Sequence, residues 1–178
     1  MEAVDKRRSI RKYKDIPIAE ELQAELIRSA ILAPSGDNTQ PWHFILVDDA
    51  VVRGKIAAIS HHQKWMESAP LFVVCVADIR SRIRDDEAIR LDEESSIFEL
   101  KQIIRDTSIA IEHLVLTATD RGLGTCWVAW FKQDEIRSTL GIPYDKYVVA
   151  VITVGYADEN PAPRPRKGIE ALLHRNKW

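Results

Sequence analysis

Three basic clusters along this chain carry side chains that could bind an anion. The first is Arg-Arg-Ser-Ile-Arg at residues 7–11, and the second is Arg-Pro-Arg-Lys at 164–167. Gln63 and Lys64 form a weaker third cluster. Guanidinium forks together with a hydroxyl can hold a phosphate monoester. The alternative for each cluster is a solvated basic segment, because basic side chains are mostly exposed.

A polar loop at residues 33–42 offers a different set of groups, with the sequence Ala-Pro-Ser-Gly-Asp-Asn-Thr-Gln-Pro-Trp. Apolar residues at helical spacing predict a helix at Leu22–Leu32 before it, and an apolar run predicts a strand at Phe44–Val47 after it. Such a loop can wrap a polar small molecule with neutral donors and acceptors. The same residue types build ordinary helix-to-strand turns, so both interpretations stay open.

The remaining elements follow from apolar periodicity. We expect helices at 2–9, 52–59, 107–121, 134–140 and 169–173, and strands at 71–77, 126–131 and 147–155. Asp106 is the predicted N-cap of the helix at 107–121 and Gly122 its stop. That helix is apolar almost all round, which predicts a central or interface position. Helices between irregularly spaced strands predict a mixed sheet covered on both faces.

The charged segment that begins at Arg80 and ends at Glu99 predicts a mobile helical excursion or lid. Its acidic runs, at 85–87 and 92–94, are most simply solvated faces. No distinctive signature stands in this segment or in the two residues after it, up to Lys101. The sequence therefore does not assign a specialised chemistry to the lid.

The bulk numbers limit the class of protein. The chain has 178 residues and a net charge of -2, so we expect one domain over 1–178 and no nucleic-acid partner. No apolar run is long enough for a membrane span, and the first residues lack the apolar stretch of a signal peptide. Cys75 and Cys126 fit reduced, buried packing residues. We therefore expect a cytoplasmic protein.

Metal and nucleophile chemistry find no support in the residue spacing. His61 and His62 are adjacent, no His/Cys/Asp group has ligand spacing, and His113 lies in the apolar helix as a core or interface histidine. Gly122 and Gly124 follow a helix and precede a strand, which is the wrong order for a dinucleotide fingerprint. We expect them to stop the helix and to let backbone approach a flat group. We predict no catalytic side chain and no metal ligand.

In their order and spacing these motifs resemble the nitroreductase family of FMN-dependent oxidoreductases, over essentially the whole chain. The resemblance implies an α+β fold with a mixed, mainly antiparallel central sheet flanked by helices. It also implies an intertwined homodimer with tightly bound FMN at the subunit interface.

The same resemblance assigns the cofactor-binding residues in four groups. The phosphate is expected to contact basic and hydroxyl side chains from both ends of the chain: Arg7, Arg8, Ser9, Arg164 and Arg166. Arg11 is expected at the pyrimidine edge, and Gln63 and Lys64 at another edge of the flavin. The partner subunit is expected to contribute Pro34, Ser35, Gly36 and Asn38, supported by Gln40. Flavin N5 is expected to meet backbone N–H groups of Trp127, Val128 and Ala129.

The resemblance further implies a ping-pong cycle in which NADH or NADPH reduces FMN and an aromatic acceptor then enters. Nitroaromatics, quinones and other flavins are the expected acceptors. A cation near N1 and O2, from Arg11 or Lys64, would favour the reduced flavin anion. Three alternatives stay open. They are a specialised branch (dehalogenation, flavin cleavage or azoline oxidation), a non-catalytic flavin-binding module, and a nucleic-acid-binding domain, which the near-neutral charge disfavours.

Overall fold

A computed structural model describes residues 2–84 and 88–178 of the chain. The helices are α1 (Glu2–Lys6), α2 (Glu20–Ile31), α3 (Ala50–Ile59), α4 (Phe98–Asp120) and α5 (Gln133–Leu140). The strands are β1 (Trp42–Val47), β2 (Leu71–Asp78), β3 (Gly124–Val128) and β4 (Lys146–Gly155). Short 3₁₀ turns lie at Gly36–Asn38, Lys64–Ser68, Ile79–Ser81 and Ile169–Ala171. Strand and helix types agree with the sequence pattern, and most bounds differ by a few residues.

The four strands form one sheet in the order β1-β2-β4-β3, and every ladder in it is antiparallel. The only parallel pairing in the described ranges is an isolated bridge between Ser9 and Thr125. Strand β2 is buried on both faces, as its unbroken apolar run predicts. Its alternate residues divide between two cores, one under α2 and α4 and the other under α3 and α5. The predicted α+β architecture, with helices on both faces of the sheet, is confirmed.

The N-terminal helix is shorter than predicted, because α1 ends at Lys6 instead of continuing to Ser9. Arg7 and Arg11 therefore do not lie on one helix face, although their i, i+4 spacing would place them there in a longer helix. The chain from Ser9 onward is extended instead and pairs with the sheet, where the Ile10 N–H donates to the Thr125 carbonyl at 2.9 Å. In this extended conformation the backbone groups of residues 9 and 10 pair with β3, which they would not reach if the helix continued to Ser9.

Helix α4 begins at Phe98, so the prediction of Asp106 as its N-cap is wrong. The apolar face continues upstream through the buried Leu100 and Ile103, and Asp106 lies inside the helix with 3% of its surface exposed. Because this charged residue interrupts the apolar pattern, the pattern predicts a helix start at residue 107, later than the observed start at Phe98. At the other end, Gly122 follows the helix with a φ of +75°, as predicted for a C-terminal stop.

The charged segment before α4 holds one 3₁₀ turn at Ile79–Ser81 and no other helix in its described residues, so a helical excursion is wrong for that part. The prediction of a solvated face at residues 85–87 concerns positions outside the described ranges. Leu91 is fully buried, and its N–H donates to the Tyr144 carbonyl at 3.0 Å. Arg137, also buried, donates to the Leu91 and Tyr144 carbonyls and pairs with Asp134 at 2.6 Å. This arginine ties the segment to α5 and to the start of β4.

The tail beyond β4 is extended, and residues 162–178 are exposed along their whole length. It carries apolar side chains without cover, among them Ile169, Leu172 and Trp178, which is 99% exposed. Within residues 2–84 and 88–178, no helix has both the length and the apolar character needed to cross a membrane.

Candidate active site

Residues from the two ends of the chain meet around one cavity of about 540 Å³. Its walls come from the N-terminal segment and from the extended tail. It is lined by all the predicted phosphate ligands, Arg7, Arg8, Ser9, Arg164 and Arg166. Arg11, which was predicted at the pyrimidine edge of the flavin, lines it as well. The structure thus places the first two basic clusters together, although all four strands of the sheet lie between them in sequence. Val4, Asp5 and the stretch Pro161–Pro163 complete the walls.

Backbone pairing fixes the N-terminal half of this cavity. Besides the bridge from Ser9 to Thr125, the Tyr13 hydroxyl donates to the Ile10 carbonyl at 2.6 Å. A Cβ on Gly124 would lie 2.6 Å from Ile10 Cγ1, so the close approach of this segment needs a glycine there. Gly124 therefore admits the chain's own Ile10, whereas the approach of this backbone to a flat group stays a prediction.

The charge on the cavity wall is mostly uncompensated. In the part of the chain that the structure describes, Arg7, Arg11, Arg164 and Arg166 form no ion pair with a carboxylate. Arg8 Nη1 donates to the Asp5 carbonyl at 2.7 Å, and the Glu159 carboxylate accepts from the backbone N–H of Arg11. Several guanidinium groups without an anion, next to a hydroxyl, suit a phosphate dianion. The donor set therefore fits the phosphate of FMN.

An aromatic ring, that of Trp65, connects the third basic cluster to the first. The sequence analysis did not identify this residue. The Arg11 guanidinium carbon lies 5.6 Å from the centre of the Trp65 ring, and Trp65 Nε1 donates to Gln63 Oε1 at 3.2 Å. The Gln63 amide also donates to the Ser60 carbonyl at 3.0 Å, so it serves the loop itself, whereas Lys64 is exposed. Trp65 could have been noticed as an aromatic next to a lysine in a polar turn.

The end of β3 presents exposed aromatic surface next to the same loop. Trp127 is 40% exposed and Trp130 is 65% exposed, and the Trp130 ring stacks on His61 with centroids 3.8 Å apart. His61 has a φ of 54°, which is unusual for a non-glycine residue. The stack joins the loop before Gln63 to the segment after β3. Val128, the last residue of β3, is buried, and Ala129 directly after it is exposed.

The polar loop lies elsewhere in the same chain. The Gly36 N–H donates to Asp106 in α4, whereas Arg8 and Thr119, near the end of α4, line one small cavity. At 1.5 Å per residue, Asp106 and Thr119 are about 20 Å apart along the helix axis. One chain therefore does not bring the loop to the basic cavity.

The loop exposes most of the residues that the resemblance assigned to it. Pro34, Gly36, Asn38 and Gln40 are exposed, and Ser35 is half-buried. The Ser35 hydroxyl accepts from the Gln40 N–H at 2.9 Å, which closes the loop on itself. Polar groups that the loop does not use internally are thus available on its outer side.

The two cysteine thiols and the His113 imidazole have surroundings typical of packing residues. Both cysteines are free and buried, and burial raises the pKa of the Cys126 and Cys75 thiols, so both stay protonated near neutral pH. His113 hydrogen-bonds the Ser29 carbonyl at 3.2 Å through Nδ1, which agrees with a packing role. Over the described residues, no three His, Cys, Asp or Glu side chains come together as a metal site.

Comparison with known proteins identifies the family. The model of the nitroreductase family matches residues 4–156. A relative from Archaeoglobus fulgidus, described as a putative NADH dehydrogenase/NAD(P)H nitroreductase, is 30% identical over 97% of this chain and 94% of its own. The NADPH-flavin oxidoreductase of Vibrio harveyi is 26% identical over 100% of this chain and 74% of its own. The structure of the Vibrio harveyi NADPH:FMN oxidoreductase complexed with NAD+ superposes with a TM-score of 0.88 and 25% identity, over 99% of this chain and 76% of that one. The chain belongs to the nitroreductase family and is an oxidoreductase.

Proposed function

We propose that this protein is an FMN-dependent oxidoreductase that uses NADH or NADPH to reduce nitroaromatics, quinones or related acceptors. The observation that carries the proposal is the cavity lined by arginines from both ends of the chain, which have no carboxylate partner among the described residues. A phosphate held there would satisfy charges that are otherwise left to solvent. The flavin oxidoreductase among the relatives supports the same choice of cofactor.

Bound FMN would supply hydride transfer, from the nicotinamide cofactor to the acceptor in a ping-pong cycle. The protein's own part is to bind and to orient. Arg7, Arg8, Arg164 and Arg166 would hold the phosphate, together with the Ser9 hydroxyl. Arg11, kept beside Trp65, would place a fixed positive charge at the pyrimidine edge and so favour negative charge there.

We propose that two chains share each site. The loop of residues 33–41 lies about 20 Å along α4 from the basic cavity of its own chain, at 1.5 Å per helical residue. A second copy could bring its loop to that cavity. The exposed apolar tail supports dimer formation as well, because Leu172 and Ile169 have no cover in a single chain. The whole chain, 1–178, would then act as one domain of a homodimer.

The exposed rings at the end of β3 support an aromatic acceptor. Trp127 and the stacked pair of Trp130 and His61 present flat apolar surface beside the loop that holds Trp65. Aromatic rings and flat ligands stack favourably on such surfaces. We include a cytoplasmic location in the proposal because both cysteines are unpaired.

Mixing reduced protein with an acceptor tests the reaction. We expect protein reduced anaerobically by NADPH or NADH to reoxidise much faster with a nitroaromatic or a quinone than in buffer alone, because the acceptor can stack at the exposed rings. Stopped-flow absorbance at the flavin band would measure both rates. Reoxidation no faster than in anaerobic buffer would contradict the proposed acceptor class. It would favour a flavin-binding module or a specialised branch of the family.

A further inference from the structure

Gly36 is held at both of its peptide groups by one ion pair. Its N–H donates to Asp106 Oδ2 at 3.2 Å, and its carbonyl accepts from Arg82 Nη2 at 3.2 Å. Arg82 Nη2 and Asp106 Oδ2 also lie 3.2 Å apart, so the three residues close a small ring of contacts. A Cβ on residue 36 would come within 2.6 Å of Arg82 Nη2. A side chain at residue 36 would therefore displace the end of the Arg82 side chain from its place against the loop.

The ion pair is costly where it stands. The Asp106 side chain is 4% exposed and the Arg82 side chain 10% exposed, and among the described residues the buried Arg82 Nε has no hydrogen-bond partner. Buried ion pairs seldom improve stability over well-packed apolar residues. An aspartate inside an α-helix is also less favourable than most residues. The pair thus calls for a role other than packing. Asp106 Oδ1 also lies 3.5 Å from Arg105 Nε, and the other contacts of the pair are with the loop: both peptide groups of Gly36, and Asp37, whose Oδ2 lies 3.8 Å from Arg82 Nη1.

The loop that it holds has an unusual backbone. Asp37, Asn38 and Gln40 all have φ between 46° and 55°, in the left-handed region. Such residues persist when their surroundings fix them, and they are common at binding sites. The pair fixes Gly36, directly before this run, while the Ser35 hydroxyl fixes Gln40 at its end.

We propose that Arg82 and Asp106 are positioning residues that hold the loop of residues 33–41 ready to bind FMN. The inference rests on the proposed function and adds residues to it that lie outside the cofactor contacts. Because the loop is held before the ligand arrives, binding loses less conformational freedom. Loosening it should weaken FMN binding and leave the reaction of bound flavin unchanged.

Two measurements on Asp106→Asn and Arg82→Met test this role. Hydrogen–deuterium exchange of the apoprotein should be faster in peptides that cover residues 33–41, because Gly36 loses its charged partners. The FMN dissociation constant, from quenching of flavin fluorescence, should rise about tenfold or more, as expected for loss of a charge-assisted contact. Arg82→Lys keeps the charge and should give an intermediate value. At saturating FMN, the rate of flavin reduction by NADPH should stay within about twofold of wild type.

Arg137→Met is the matched control, because it removes a buried arginine with no contact to the loop. It should lower the unfolding temperature and change neither loop exchange nor FMN affinity by more than about twofold, since distant sites act independently. Faster loop exchange with unchanged FMN affinity would overturn the inference, and so would unchanged exchange. Wild-type protein that binds no FMN would overturn the proposed function and this inference together.

Discussion

Replacing Arg7 and Arg166 by alanine together is expected to abolish retention of FMN during purification. Both side chains line the basic cavity, one from each end of the chain, and neither has a carboxylate partner in the described residues. A charge-assisted hydrogen bond contributes about 1.5–3 kcal/mol, so two lost contacts correspond to about 3–6 kcal/mol. The dissociation constant for FMN should therefore rise by about 100-fold or more.

Fluorescence titration of the apoprotein with FMN measures this change directly. Arg28→Ala with Arg175→Ala is a suitable control, because it removes the same charge from exposed positions that do not line the cavity. We expect the control to bind like wild type. A double variant at Arg7 and Arg166 that purifies with full flavin occupancy would show that the phosphate lies elsewhere.

Mixed dimers are expected to recover FMN binding from two chains that each fail alone. One chain carries the substitutions at Arg7 and Arg166. The other carries Ser35→Ala with Asn38→Gly, which removes two loop side chains and leaves the φ of 55° at residue 38 accessible. If each site takes its phosphate ligands from one chain and its loop from the other, a mixed dimer has one intact site. The second site in that dimer carries both defects.

Titration of tandem-purified mixed dimers counts the sites. We expect about one FMN per dimer with wild-type affinity, because substitutions on separate chains leave one complete set of ligands. Both parent homodimers serve as controls and should bind weakly. Mixed dimers without a high-affinity site would mean that each chain builds its site alone, which the position of Gly36 against Asp106 argues against.

Sequence patterns predicted the elements of this fold well, because each buried strand and helix has its own pattern of apolar residues, periodic or continuous. Strand β2, with seven consecutive buried residues, is the clearest example. The two ends of α4 differ in this respect. Gly122 marks the last turn by its backbone conformation, whereas Asp106 breaks the apolar face and mimics a cap.

The candidate site was predictable only as separate pieces. The basic clusters and the loop stand out by residue type, but their meeting or separation depends on tertiary contacts. Nothing local in the sequence indicates that Ile10 fills the space above Gly124, or that Arg82 reaches Gly36. His61, which follows α3, and Trp130, which follows β3, likewise become neighbours only through the tertiary fold.

The visible absorption spectrum of the purified protein, taken before and after anaerobic addition of NADPH or NADH, tests the central claim most directly. We expect a flavin spectrum that matches FMN and bleaches with at least one of the two nucleotides. The same sample then provides the reduced protein for the acceptor experiment. Protein that shows no flavin band even after incubation with FMN would contradict the proposed cofactor. Bound flavin that neither nucleotide reduces would contradict the proposed reductase.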